Sequence, residues 1–234
     1  MLKPAGKSRF RYERELLARG CEAIAGVDEA GRGPLAGPVV AAAVIFPPTW
    51  IENGLPRTLW GLNDSKQLSP EERDLYFAKL TRFAEVRYGI ASSDNTLIDE
   101  INILQATFRA MNDALAQLSP APTHVLVDGN QRSSVHWAQT PIIEGDAKSY
   151  SIAAASVLAK VTRDRMMVEF DRQWPMYAFA EHKGYGTEKH LLALAQHGPC
   201  PLHRRSFAPI RPNALPIVEL FETEDRAATP RAIL

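Results

Sequence analysis

The sequence has few cysteines and no long apolar run, and these two absences limit where the protein can act. Its two cysteines, Cys21 and Cys200, fit no metal-binding or redox spacing, so free thiols are favoured over a disulfide. No run approaches the roughly 18 apolar residues that a membrane span requires. The basic residues near the N-terminus are not followed by the apolar core of a signal peptide. We therefore expect a cytoplasmic protein without a membrane partner.

The chain also lacks an excess of charge of either sign. It has 27 Lys and Arg residues against 27 Asp and Glu residues, a net charge of +0, so any attraction for a polyanion has to be local. Between residues 148 and 211, ten Lys and Arg residues stand against five Asp and Glu residues, which gives that segment a charge of +5. This asymmetry permits nucleic-acid binding without requiring it.

Internal repeats are absent too, and 234 residues that are 45% hydrophobic and 23% charged predict one globular domain with a substantial core. Apolar runs predict five strands, at residues 24–27, 39–46, 84–92, 124–127 and 141–144. The last two alternate with helical patterns. The order predicts an α/β fold whose sheet combines an antiparallel meander with parallel additions.

Five segments have helical patterns: 10–19, 69–82, 96–118, 149–174 and 187–197. In the second, Ser69 as N-cap and Glu72 three residues later form the pattern of a capping box, and in the third Thr96 is the expected N-cap. Residues 1–21 are interpreted as a basic leader before the domain at 22–210. Prolines from residue 209 onward oppose further regular structure, so we expect a flexible tail at 211–234.

The segment 25–38, AGVDEAGRGPLAGP, carries the first candidate site. An apolar run leads to Asp28 and Glu29, which are followed at once by a turn rich in Gly and Pro. Such a pair is most often a solvated strand end, but if it is buried a cation must neutralise it. The turn also matches the dinucleotide-binding pattern G-x-G-x-x-A. We reject that interpretation, because Pro34 and Pro38 stand where the phosphate-binding helix should begin.

Two more acids, Asp128 and Asp146, follow apolar strands elsewhere in the chain. Neighbouring strand ends of one sheet converge, and converging carboxylates raise each other's pKa unless cations intervene. Carboxylate ligands without a nearby His or Cys set favour Mg²⁺ or Mn²⁺ over zinc. One difficulty is that adjacent side chains on a strand face opposite sides, so Asp28 and Glu29 cannot both reach one ion unless the strand bends. Otherwise Glu29 binds through water or its backbone carbonyl.

The string GVDEAGRGPLAGPVV resembles the N-terminal signature of ribonuclease HII, the type 2 ribonuclease H. The resemblance covers roughly residues 22 to 210 and implies the ribonuclease H-like fold, a mixed five-stranded sheet flanked by helices, with a helical C-terminal part. Asp28, Glu29, Asp128 and Asp146 match the four metal-binding acids of that family in order.

The implied activity is endonucleolytic hydrolysis of the RNA strand of RNA–DNA hybrids, with incision 5′ of ribonucleotides embedded in duplex DNA. Two divalent ions, Mn²⁺ or Mg²⁺, would hold the phosphodiester between them, and the products would carry a 3′-hydroxyl and a 5′-phosphate. We expect the enzyme to act as a monomer.

The resemblance also indicates how the ribose is recognised. In the family, the residues matching Gly31, Arg32 and Gly33 contact the 2′-hydroxyl and a flanking phosphate. The segment 182–187, HKGYGT, resembles a motif whose tyrosine, here Tyr185, packs on the sugar at the RNA–DNA junction. A plain glycine turn and a tyrosine that anchors its loop are the simpler alternatives.

Four further residues are candidates for contact with the nucleic-acid backbone. Lys66 lies in a loop, DSKQLS, that is similar to a family loop, although a helix cap with a solvated lysine is nearly as good an interpretation. Lys148 and Ser149 begin the long helix, whose N-terminus could bind a phosphate. Arg204 belongs to HRRSF, which is similar to a terminal family motif, and it either contacts the backbone or is solvated.

Two other functions remain open. The sister type, ribonuclease HIII, usually carries Gly-Thr-Gly where Arg32 stands and has an extra N-terminal domain, for which the short leader is expected to leave no room. A catalytically silent nucleic-acid binding module on the same fold is the second alternative. The presence of all four acids argues against it.

Overall fold

The computed structural model describes residues 9–129 and 134–212, and a mixed five-stranded sheet forms its centre. The strands are β1 (Ile24–Ala30), β2 (Val39–Ile45), β3 (Arg87–Ser93), β4 (His124–Asp128) and β5 (Gln139–Ile142). They lie in the order β3-β2-β1-β4-β5. The first three form an antiparallel meander, and β4 and β5 are added parallel to β1. This order confirms the predicted fold class.

Helices flank the sheet and supply the C-terminal part. They are α1 (Arg11–Leu17), α2 (Pro48–Asn53), α3 (Pro70–Arg82), α4 (Asn95–Ala116), α5 (Gly145–Lys148), α6 (Tyr150–Gln173), α7 (Phe179–His182) and α8 (Glu188–His197). None of these helices is long and apolar enough to cross a membrane. Both cysteines are free, as expected.

The alternation of side chains along β2 gives the sheet two buried faces. Ala42 and Val44 belong to the core cluster that contains the first half of α6, whereas Ala41 and Ala43 belong to the cluster that contains the second half of α4. Both faces are apolar because a sheet covered by helices on each side leaves no solvated face. The sheet is therefore a rigid support from which the loops at its edge project.

The helix α6 approaches β1 so closely that backbone meets backbone. A Cβ added to Gly26 would lie 2.3 Å from the carbonyl carbon of Ser151 and 2.4 Å from the amide nitrogen of Ile152. Only a glycine permits this approach. It brings the beginning of α6, and α5 just before it, beside the strand that carries Asp28.

The predicted leader is partly wrong, because residues 9–21 belong to the domain. Phe10 is fully buried and packs with its ring centroid 5.8 Å from that of Phe46 and 5.0 Å from that of Tyr150. Glu13 of α1 is also buried and accepts a hydrogen bond from the hydroxyl of Ser149. Residues 1–8 and 213–234, with most of the predicted tail, lie outside the described residues.

Most helix starts agree with their predicted caps. Ser69 and Glu72 form the reciprocal capping box at α3, and Thr187 caps α8. The N-cap of α4 is Asp94 rather than Thr96, since the Asp94 carboxylate accepts from the amide of Leu97. The last predicted strand, at 141–144, is shifted as well: β5 ends at Ile142, and Glu144 is in the left-handed region (φ 54°) before α5.

Candidate metal centre and adjoining groove

Three aspartates from separate parts of the chain meet at one end of the sheet. Because β1 and β4 are parallel neighbours with Val27 opposite Val127, the residues after them, Asp28 and Asp128, stand side by side. Asp146 arrives from α5, just beyond β5. Ligand oxygens of the three carboxylates all lie within 4.8 Å of one another. The structure thus brings together the acids that the sequence placed at converging strand ends.

Backbone amides orient all three carboxylates through one oxygen each. The Oδ1 atom of Asp28 accepts from the amide of Glu29 at 2.7 Å, and that of Asp146 accepts from Ala147 at 2.9 Å. Oδ1 of Asp128 accepts from the amide of Gly145 at 2.7 Å. The second oxygen of Asp146 already faces a cation, because Nζ of Lys66 lies 3.6 Å from it. A cluster of hard oxygen donors held in this way suits Mg²⁺ or Mn²⁺.

The charges of this cluster are costly in the protein alone. Burial raises the pKa of Asp28 well above its ordinary value, and repulsion from neighbouring carboxylates raises it further. Burial also raises the pKa of Asp146, with additional repulsion from Asp128 and Asp64. A divalent cation removes both penalties, because its charge inverts the sign of the local field. The electrostatics therefore fit a metal site.

Metal binding should stabilise the protein, and more so at higher pH. Since the folded aspartates have pKa values raised above about 4, the ordinary value, they keep protons at acidic pH that a cation must displace. We expect Mn²⁺ or Mg²⁺ to raise the melting temperature at pH 7.5 and to raise it less at pH 5.5. Differential scanning fluorimetry with and without metal at each pH measures this. An equal shift at both pH values, or none, would contradict the assignment.

Glu29 lies beside the three aspartates but is oriented differently. The β1–β2 ladder continues through Asp28, Glu29 and Ala30, so the strand does not break at the point where a bend was considered. Oε1 of Glu29 accepts a hydrogen bond from Nη1 of Arg32 at 3.3 Å. Burial raises the pKa of Glu29, and the charge of Arg32 opposes that rise. A direct contact between Glu29 and a metal ion remains a prediction.

Asp64 is a further acid at the cluster that the sequence did not single out. It is the N-cap of a short 3₁₀ turn, Ser65–Gln67, and its carboxylate accepts from the amide of Lys66 at 2.9 Å. Nζ of Lys66 lies 3.6 Å from Oδ2 of Asp146. The Asx-type cap is readable from the sequence, but nothing in that pattern indicates that the turn packs against Asp146.

Two adjoining depressions meet at Lys66 and form a groove. One is lined by Asn63, Asp64, Lys66, Gln67, Asp128, Gly129, Ile143, Glu144, Asp146 and Ala147. The other is lined by Asp28, Glu29, Ala30, Gly31, Arg32, Gly33, Ser65, Lys66, Ser156, Lys160, Arg163 and Tyr185. Asp28 thus lines the same depression as the glycine-rich turn, and Asp128 and Asp146 line the adjoining one.

Tyr185 lines this groove next to the turn. Its side chain is 46% exposed, and a Cβ on Gly33 would lie 3.8 Å from its ring. Two buried histidines hold the surrounding loop: Nδ1 of His190 is 2.9 Å from the Tyr185 carbonyl oxygen, and Nδ1 of His182 accepts from the amide of Gly184. The exposed ring is thus presented on a fixed backbone.

The predicted substrate contacts through the side chains of Ser149 and Arg204 are wrong, because both side chains are buried. Ser149 is fully buried, where its hydroxyl donates to Glu13 and accepts from the amide of Ile152 as the N-cap of α6. Arg204 is fully buried as well, under the glycine-rich turn. Lys148 follows Asp146 by two residues, and its Nζ donates to the carbonyl of Ile143 and pairs with Glu144 at 3.3 Å.

Arg163 on α6 has a buried position that the sequence did not predict. It is 1% exposed and Arg204 is 0% exposed. Burial lowers the pKa of Arg163 to about 10 and that of Arg204 to about 9, so both stay cationic at neutral pH. Charged residues in a helical pattern or a loop are ordinarily interpreted as solvated, and no local signal distinguishes these two.

Sequence comparison shows what the chain is similar to. The profile of the family described as Ribonuclease HII matches residues 25–210. A ribonuclease HII of Ruminiclostridium cellulolyticum is 53% identical over 196 residues, which is 84% of this chain and 74% of the relative. One from Geobacter metallireducens is 48% identical over 210 residues, which is 90% of this chain and 95% of the relative.

Solved structures share the fold. The ribonuclease H2 of Pyrococcus horikoshii superposes with a TM-score of 0.66 at 28% identity, covering 85% of this chain and 98% of that one. A Bst ribonuclease HIII, whose crystal structure is a complex with Mn²⁺, superposes with a TM-score of 0.61 at 18% identity. The match covers 86% of this chain and 70% of that one. At that identity the second likeness concerns the fold alone.

Proposed function

The chain belongs to the ribonuclease HII family, and from that premise we propose an endoribonuclease that acts on RNA–DNA hybrids and also incises duplex DNA 5′ of embedded ribonucleotides. The observation that carries the proposal is a cluster of three aspartates that borders two adjoining depressions, one of which also holds the turn Gly31–Gly33 and Tyr185. The first arrangement fits phosphodiester hydrolysis. The second fits recognition of a sugar.

The proposed chemistry depends on two divalent ions, Mn²⁺ or Mg²⁺. Asp28, Asp128 and Asp146 would hold them, with Glu29 at the edge of the cluster. When bound, such ions activate water and neutralise the charge of the leaving oxygen, which gives a 5′-phosphate and a 3′-hydroxyl. The protein's own part is to hold the three carboxylates in position, which the backbone amide contacts do.

Recognition of the ribonucleotide is assigned to the other part of the groove. A protein distinguishes RNA from DNA through the 2′-hydroxyl, which both donates and accepts. Gly31 and Gly33 let the backbone of the turn come close to a sugar, and Arg32 is exposed beside them. Lys66, with its side chain mostly exposed next to Asp146, is the proposed contact to a phosphate near the cleaved bond, and Lys148 is a second.

Cleavage-site mapping on a duplex with one ribonucleotide tests substrate, bond and metal together. With Mg²⁺ or Mn²⁺ we expect one incision on the 5′ side of the ribonucleotide, products with 3′-hydroxyl and 5′-phosphate ends, and no cut in EDTA. The all-deoxy duplex of the same sequence is the control. Binding without incision under every metal condition would favour the silent binding module. Size-exclusion chromatography with light scattering would test the expected monomer.

Tyr185→Ala should weaken cleavage at a single ribonucleotide by about tenfold, the worth of one well-placed aromatic contact. Because the ring is half exposed, the free energy of unfolding should change little. Tyr88→Ala, which removes a similarly exposed tyrosine from β3, is the matched control. Single-turnover rates and urea melts of the three proteins measure both effects. An equal loss of stability and activity would identify Tyr185 as a loop anchor instead.

A further inference from the structure

The buried guanidinium of Arg204 holds the glycine-rich turn by its carbonyl groups. Nη2 donates to Gly31 O at 2.6 Å, Nη1 donates to Arg32 O at 2.8 Å, and Nε and Nη2 donate to Gly37 O at 3.0 and 2.9 Å. The planar fork of arginine is suited to several acceptors at once. One side chain thus fixes both ends of the turn 31–37.

Arg163 also donates to carbonyl groups at the end of the turn, and in addition to one in the loop that carries Tyr185. It donates through Nε to Pro38 O at 2.9 Å and through Nη2 to Ala36 O at 3.2 Å. Its Nη1 donates to Lys183 O at 3.0 Å. Lys183 lies two residues before Tyr185, so this arginine ties the turn to the loop of the proposed sugar contact.

Neither arginine has a carboxylate within 4.0 Å in the described part of the chain. Burying a cation is expensive unless hydrogen bonds satisfy it, and here backbone carbonyls do so. The segment of Arg204 is itself held in place, because the Asp99 carboxylate accepts from the amides of Arg205 and Ser206 at 2.7 and 2.9 Å. The two cations also leave a positive field under the turn, which favours an anionic ligand above it.

Peptide planarity gives these contacts a consequence for the amides of the turn. In a trans peptide the C=O of one residue and the N–H of the next point in opposite directions. Fastening Gly31 O and Arg32 O to Arg204 therefore directs the N–H groups of Arg32 and Gly33 away from the buried side. Within the described residues, neither of these two amides donates to a protein acceptor.

We propose that Arg204, supported by Arg163, is a positioning residue for ribonucleotide selection: it orients the amides of Arg32 and Gly33 so that they donate to oxygens of a ribose and its flanking phosphate. The inference rests on the proposed function. Arg204 touches no substrate in this assignment. It acts through the turn, so its effect should appear in the preference for ribose over deoxyribose.

The first test measures that preference by binding. In an Asp28→Asn background that prevents cleavage, the affinities for a duplex with one ribonucleotide and for its all-deoxy counterpart are compared with Mg²⁺ present. Arg204→Lys keeps the charge but cannot reach three carbonyls, so the preference should fall roughly tenfold to a hundredfold, as for lost hydrogen bonds to a charged group. Arg163→Lys should lower it too. Arg165→Lys, an exposed position on α6 paired with Asp74, should leave it unchanged.

The second test uses the parent protein in EDTA, where the duplex stays uncut, and does not depend on how a variant folds. Residue-resolved hydrogen exchange should show the amides of Arg32 and Gly33 exchanging rapidly in the free protein. The ribonucleotide duplex should protect them more than the all-deoxy duplex does. Equal protection by both duplexes would overturn the inference.

The outcomes also separate this inference from the proposed function. A parent with equal affinity for the two duplexes would overturn ribonucleotide selection, and the role of Arg204 with it. A parent that prefers ribose, together with an Arg204→Lys variant that keeps the whole preference, would overturn the role of Arg204 alone. A uniform loss of affinity for both duplexes with the preference intact would likewise reduce Arg204 to a structural residue.

Discussion

Asp28→Asn is expected to abolish metal-dependent incision, with a loss of about a thousandfold or more, because the amide cannot supply the charge that holds a divalent ion at the cluster. The same change should make the metal-free protein more stable at neutral pH. Burial and neighbouring carboxylates raise the pKa of Asp28, so its ionised form destabilises the folded state above the ordinary pKa, and that destabilisation disappears with the charge. Single-turnover incision assays and urea melts in EDTA measure the two effects.

Opposite signs for activity and stability distinguish this result from damage to the fold. Asp74→Asn is the matched control, because Asp74 is an exposed aspartate whose partner is Arg165; activity should be unchanged. Incision by Asp28→Asn at the parental rate would refute the metal assignment. Loss of activity accompanied by a lower free energy of unfolding would point to a structural role.

Gly31→Ala should be the most damaging substitution in the glycine-rich turn. Gly31 has φ +97°, and an added Cβ would lie 2.0 Å from Nε and 2.4 Å from Cδ of Arg163 and 2.8 Å from the carbonyl oxygen of Pro38. Arg163 cannot move aside without leaving its carbonyl partners. We expect a loss of roughly 3 kcal/mol or more of folding free energy, from the strained backbone and the overpacked site together.

Gly54→Ala separates these two causes. Gly54 has nearly the same backbone angle, φ +99°, but nothing lies within 4 Å of its added Cβ. Gly54→Ala should therefore lose folding free energy through backbone strain alone, on the order of 1 kcal/mol. Urea melts of both variants give the difference, and ribonucleotide incision should be impaired only by Gly31→Ala. Equal costs for the two substitutions would show that the contact with Arg163 is unimportant.

Local signals in the sequence predict most of the fold. The capping box of Ser69 and Glu72 begins α3 where the pattern places it, and the apolar runs before Asp28 and Asp128 are the adjacent parallel strands β1 and β4. These features depend on residues close together in the chain, so they can be read without the tertiary structure. The convergence of three acids also follows, since strands of one sheet end near one another.

Burial of polar residues by distant segments could not be predicted in this way. Ser149 has the pattern of a phosphate-binding helix start. However, Glu13, from the supposed leader, packs against it and accepts a hydrogen bond from its hydroxyl. Arg204 resembles a substrate contact in sequence, and only the fold places it beneath Gly31. Asp64 was missed for the same reason. In each case the contacting residue is remote along the chain, so no local sequence pattern could predict the contact.

The central place of β1 also has a consequence for synthesis of the chain. One edge of β1 pairs with β2, which follows within a few residues, whereas its other edge pairs with β4 at His124–Asp128. A ribosome must therefore add most of a hundred residues before that edge is covered, and until then it is open to mispairing or capture by a chaperone. The three-aspartate cluster cannot form during this interval either, because Asp128 and Asp146 have not yet been synthesised, so we expect no metal-dependent cleavage by the nascent chain.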